Sequence, residues 1–206
     1  MSSLRSELLG DRRPVDLPDF GMLLPSGWKA HDVSEKTERA LLAQARQRTM
    51  AAHRPELQGM LEANTSAALA AARAQGAMAM IMPGPDTEGV LFAPASMLVS
   101  VREATNEYTL DDIVVDVVRN RGGQPLDENK RFVRWIEQRK VPLGGETVGA
   151  YSVVYLTPVP GTKRRKALQF TLSIAHTDEV ETSSDELLAG WVALVDAHVG
   201  TFRWER

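Results

Sequence analysis

Few side chains in this chain have the type and spacing that chemistry needs. The four histidines, His31, His53, His176 and His198, show no HxxxH or HxH spacing. A metal site would need ligands gathered from separate elements, and no ligand set is read from the sequence. His198 follows Asp196 by two positions, and such positions do not face each other on a helix. The absence of cysteine removes disulfides, thiolate catalysis and cysteine metal sites. No GxSxG elbow, Walker loop or GxGxxG run is present. Gly122-Gly123 and Gly144-Gly145 lack the strand-glycine-helix context of a phosphate cradle and read as turns. Asp111-Asp112 and Asp127-Glu128 read as helix starts, where carboxylates favour the positive end of the dipole. No catalytic, cofactor or metal residues are assigned.

Two groups remain that can bind a partner. Lys163, Arg164, Arg165 and Lys166 form the sharpest charge run, able to engage an acidic partner or phosphate. The same residues also suit a solvated turn with gatekeeper charges. Met78, Met80 and Met82, with Met60 nearby, suggest an adaptable thioether groove; ordinary core filling uses the same residues. Asn64-Thr65-Ser66 matches a glycosylation acceptor but falls in a predicted helix and is discounted.

Composition narrows the class. At 206 residues the chain suits one larger domain or a domain with an appended segment. A net charge of -3 gives no field to gather phosphate backbones, which argues against nucleic acid as a partner. Residues 1–20 contain Glu7, Asp11, Arg12, Arg13 and Asp16, with no apolar run suited to a signal peptide. No stretch approaches the roughly 18 apolar residues of a membrane span. The sequence reading is therefore a cytoplasmic protein.

The elements are organised around the run Glu146–His176, a long hairpin turning at Pro160-Gly161. In its second arm Leu168, Phe170, Leu172 and Ile174 alternate with Ala167, Gln169, Thr171 and Ser173, the period-two pattern of a strand. A slip of one residue would turn the apolar set to the wrong face, so the register is well specified. Upstream, residues 1–19 read as a loosely held arm. Phe20–Trp28 reads as a short strand stopped by Pro25 and turned by Ser26-Gly27, with Trp28 returning to the core. Asp32 and Glu35 have capping-box spacing. Residues 34–75 form a helical hairpin or one broken helix, with Pro55 in a first turn and Gly76 as terminator. Residues 77–82 and 89–102 are strands. Thr109 and Asp112 cap a helix bearing Ile113, Val114, Val117 and Val118. Within Asp127–Lys140, Phe132, Val133, Trp135 and Ile136 fit a short helix, and 138–143 fit a strand. Ser183 or Ser184 starts a last helix with Leu187, Leu188, Trp191, Val192, Leu194, Val195 and Val199 on its apolar face. A short strand around Phe202 and Trp204 closes the chain.

This order predicts an α+β fold: an α/β/α sandwich around a mainly antiparallel sheet, with an N-terminal helical insertion and one domain over 20–206. Phe20–Trp28 (F-x-x-x-L-P-S-G-W), Val141–Tyr155 and Leu194–Trp204 (L-V-D-A-H-V-G-T-F-R-W) resemble the PsbP-like superfamily. That family holds the photosystem extrinsic protein, a nuclear Ran-binding protein, LpqN-type lipoproteins and Eag chaperones of type VI secretion. The helical segment 34–75 is longer than the family places there. The resemblance implies a non-enzymatic protein-binding adaptor or chaperone-like module of the bacterial cytoplasm, accessory to secretion, with segment 34–75 as partner surface or homodimer contact. Two alternatives stand beside it. One is a sensor of small apolar ligands using Met78, Met80 and Met82. The other is an enzyme whose site joins His176 or His198 to a distant carboxylate.

Overall fold

The computed structural model describes residues 17–51, 53, 58–84, 95–143, 146–176 and 183–205. In chain order the elements are β1 (Phe20–Gly21), β2 (Trp28–Asp32), α1 (Glu35–Ala51), α2 (Gln58–Ala74), β3 (Ala77–Pro83) and β4 (Ala95–Glu103). Then come α3 (Leu110–Asn120), β5 (Gln124–Pro125), β6 (Val133–Leu143), β7 (Glu146–Pro158), β8 (Lys166–His176), α4 (Ser183–Gly200) and β9 (Arg203–Trp204). Seven strands build one sheet in the order β2-β3-β4-β8-β7-β6-β5, and every pairing is antiparallel. β1 and β9 form a separate two-stranded ribbon. The fold is the expected α+β sandwich, with the long hairpin at the middle of its sheet.

Alternation along the central strands divides the core into two layers. One face carries the row Ile81, Met97, Leu172, Val153 and Ile136, paired strand to strand. Trp191, Val192, Val195 and Val199 of α4 join the same buried cluster. The other face carries the row Met80, Leu98, Thr171, Val154 and Trp135. At one side of it Leu110 and Val117 of α3 pack on Trp135, Val154 and Leu156. At the other side Leu69 and Ala72 of α2 pack with Val33, Ala77, Met80 and Leu98. The sheet between these two helical covers carries small polar side chains and stays open.

The helical insertion has a simple topological origin. Asp32 pairs directly with Ala79, so α1 and α2 occupy the connection of what would otherwise be a plain antiparallel hairpin. The start of α1 differs from the sequence reading: Ser34 accepts from the Thr37 amide at 3.2 Å. Asp32 instead accepts from the Ser34 amide at 3.0 Å. A hydroxyl one residue before the first helical residue caps better than a carboxylate three residues out. At α3 the Thr109–Asp112 capping box is present in full. The helix ends where Gly122 takes φ 66° and the Gly123 amide returns to the Val117 carbonyl at 2.9 Å.

Three other readings are corrected. Phe132–Ile136 is not helical: β6 begins at Val133 and runs unbroken to Leu143, with Phe132 and Trp135 in different core clusters. Asp127-Glu128 lies in a turn, where Asp127 faces Arg131 at 3.2 Å, not at a helix start. The opening strand is only two residues long, and Trp28 begins β2 instead. The expected strand over 89–102 is described from Ala95 onward. Residues 1–16, Pro55 and Gly144-Gly145 lie outside the described residues.

Candidate functional site at the hairpin tip

The connection from β7 to β8 is held by its own backbone. The Val159 amide donates to the Lys166 carbonyl at 2.9 Å and the Arg165 amide to the Thr162 carbonyl at 3.0 Å. Thr162 Oγ1 donates to the Val159 carbonyl at 2.7 Å, and the Ala104 amide anchors the loop through the Arg165 carbonyl at 2.7 Å. To turn this tightly the chain takes left-handed backbone at Gly161 (φ 75°), Lys163 (φ 50°) and Arg164 (φ 60°). Glycine adopts that region freely, whereas Lys and Arg there cost about 1–2 kcal/mol each.

Two other segments complete a cavity of about 670 Å3 beside this loop. In the turn before β6, Lys130 also has positive φ, 51°. Its neighbour Arg131 donates to the Phe202 carbonyl at 2.8 Å and the Gly200 carbonyl at 3.1 Å. That guanidinium satisfies carbonyls at the C-terminal end of α4, where a cation is also favoured by the dipole. The chain end then supplies Phe202, Arg203 and Trp204. Phe202 is the hub of an aromatic cluster, with ring centroids 5.5 Å from Phe20, 5.4 Å from Phe132, 5.7 Å from Phe170 and 5.0 Å from Trp204.

The cavity has a charged rim and an apolar floor. Pro158, Val159, Pro160, Phe202 and Trp204 contribute apolar surface. Lys130, Arg131, Lys163, Arg164 and Arg203 supply five cations. Arg131 is paired with Asp127 and Arg164 with Asp111. Lys130, Lys163 and Arg203 have no ion-pair partner among the described residues. Among the described residues, three positive charges without an ion-pair partner thus stand together in a chain whose net charge is -3.

Of the predicted cations, Lys163 and Arg164 line the cavity, while Arg165 is exposed beside it and Lys166 pairs with Glu103 at 3.1 Å. Lys130, Arg131 and Arg203 were not anticipated. Arg203 was legible, because it alternates outward between the inward rings of Phe202 and Trp204. Nothing local to Lys130-Arg131 signals that a distant hairpin will meet it. The three methionines do not share a layer. A register shift between Ala77 and Ala79 leaves Met78 in the main core and Met80 against the α2 layer. Met82 is partly buried beside Lys29.

Asp196 and His198 keep separate partners. Asp196 receives the Tyr155 hydroxyl at 2.7 Å and Arg134 Nε at 3.0 Å, whereas His198 Nδ1 lies 3.0 Å from the Leu23 carbonyl. The buried Tyr155 phenol is pushed well up by desolvation and the Asp196 charge. His31 is held below its ordinary value by burial, then by Lys29, with Asp32 opposing. The His176 side chain lies outside the described residues. No group of three or more potential metal ligands occurs among the described residues. No helix among them is long and apolar enough to cross a membrane.

No family model matches the chain, and no curated protein matches it. Among solved structures, a mutant of the protein Mog1 resembles it with 11% identity and a TM-score of 0.42, over 61% of this chain and 78% of that one. A likeness of that size says nothing about activity, and the site is read from its own geometry.

Proposed function

We propose that the protein is a non-enzymatic, PsbP-like protein-binding module of the cytoplasm, an adaptor or chaperone-like protein. It grips an acidic peptide segment bearing an apolar side chain in the hairpin-tip cavity. One observation carries this: three of the five rim cations, Lys130, Lys163 and Arg164, sit at positive φ around an apolar floor. Asn or Gly would relieve that strain, and strain retained at a surface site points toward function. The floor would supply most of the affinity, since burying a large apolar side chain gives about 1.5–3 kcal/mol. Each exposed ion pair at the rim adds only about 0.2–1 kcal/mol.

The test is an array of peptides in which one Leu, Phe or Trp is flanked by Asp and Glu, with Lys- and Ser-flanked versions as controls. The acidic set should bind most tightly, the Ser-flanked set more weakly and the Lys-flanked set least, and Lys163→Glu with Arg203→Glu should weaken the acidic set by at least about tenfold. Equal binding of the Ser-flanked set, or an unchanged affinity in the double variant, would sink the proposal.

A further inference from the structure

On the opposite face of the sheet, between α2 and α3, lies a second cavity of about 520 Å3, within the range of small-molecule sites. Its floor is polar where a sandwich would ordinarily bury apolar side chains. Ser152 and Ser173 are cross-strand partners with hydroxyls 3.5 Å apart, and Thr171 lies next in line on β8. Gln169, only 9% exposed, donates through Nε2 to Thr171 Oγ1 at 2.9 Å. Its Oε1 accepts from Arg102 Nε at 2.8 Å.

That chain of contacts orients an arginine. Thr171 fixes the amide of Gln169, and the amide fixes one edge of the Arg102 guanidinium. The other edge, with both terminal nitrogens, has no partner among the described residues. An arginine held in this way presents the planar fork that carboxylates and phosphates accept in bidentate fashion. Thr171 Oγ1 accepts from Gln169 and keeps its own proton to donate, and of the bonded pair Ser152 and Ser173 one hydroxyl can also donate into the cavity. Across the cavity one guanidinium serves two carboxylates, Arg121 lying 2.9 Å from Asp116 and 3.3 Å from Glu137. Of the two arginines lining the cavity, Arg102 is the one with no carboxylate partner among the described residues, which leaves its fork for a ligand.

We propose that this cavity binds a small polar molecule through an oxyanion seated on Arg102, with Gln169 as the positioning residue. The site is separate from the hairpin-tip cavity, and the experiment keeps the two apart by using a Lys163→Glu, Arg203→Glu background. Inorganic phosphate, succinate and glucose are titrated by calorimetry, while the Arg102 Nε–H resonance is followed by NMR. Phosphate or succinate should titrate to saturation and shift that resonance, and the preferred anion identifies a phosphoryl or a carboxylate ligand. Arg102→Lys keeps the charge but loses the fork and should bind at least about tenfold more weakly. Gln169→Met should weaken binding severalfold with the fold intact by circular dichroism. Failure of both anions to titrate, glucose binding in their place, or wild-type affinity in either variant would overturn the proposal.

Discussion

In the proposed function Lys163 serves binding at the expense of stability. Its left-handed backbone (φ 50°) is one that Asn tolerates far better than Lys. Lys163→Asn should therefore leave stability unchanged or raise it by up to about 1 kcal/mol, while weakening acidic-peptide binding. Urea melts and peptide titrations check both halves, and a destabilised variant would remove the strain argument. His31 sets a separate pH dependence. Its pKa is lowered in the folded protein, so below about 6.5 the unfolded chain binds more protons and stability falls. Above pH 7 that contribution is fully present. The melting temperature should drop between pH 7 and pH 5, and drop less in His31→Gln. Equal slopes for the two proteins would show that His31 is not the titrating group.

At the scale of elements, α4 is the cover that makes one sheet face a core. Trp191 is 4% exposed, its ring centroid lies 6.4 Å from that of Trp28, and Val195 and Val199 are fully buried. Trp191→Ala should cost roughly 3–5 kcal/mol, much of a net stability of about 5–15 kcal/mol. Removal of residues 184–206 would also withdraw Phe202 from the centre of the aromatic cluster. It should yield a chain without a cooperative melt; a sharp transition in that product would show α4 to be an appendage. Elements of this kind were legible because their periodicity is strong. The alternation of Leu168–Ile174 and the four-residue spacing of Trp191, Val195 and Val199 admit one reading each. Phe132–Ile136 misled because two apolar pairs, Phe132-Val133 and Trp135-Ile136, suit a helix turn. Here the start of β6 packs on both faces, Trp135 in one core cluster and Ile136 against the other, which hides the strand alternation. Leu194, placed on the apolar face by spacing, is 39% exposed, since α4 turns only part of its circumference to the sheet. The cavity rim was half legible: a charge run within one loop is visible in sequence, whereas the meeting of residues 130, 163 and 203 is set by tertiary pairing.

The whole molecule separates charge from sign. With a net charge of -3, the chain as a whole repels a long polyanion, yet the hairpin-tip rim gathers three cations without an ion-pair partner among the described residues. Fields of exposed charges fade over about 8 Å at physiological salt, so a short acidic segment feels the rim and not the remainder. The rim should then steer encounter, while the floor of Pro158, Val159, Pro160 and Trp204 holds what has arrived. Rim and floor variants should accordingly act on different rate constants. Lys163→Glu should lower the association rate several-fold, as should raising salt from about 50 to about 500 mM, with little change in dissociation. Trp204→Leu, with its fold checked by thermal melting, should chiefly speed dissociation and leave the salt dependence of association intact. Surface plasmon resonance on an immobilised acidic peptide separates the two rates. Equal partition of both variants between association and dissociation would show that rim and floor do not divide the work, and the cavity would then not be the binding site.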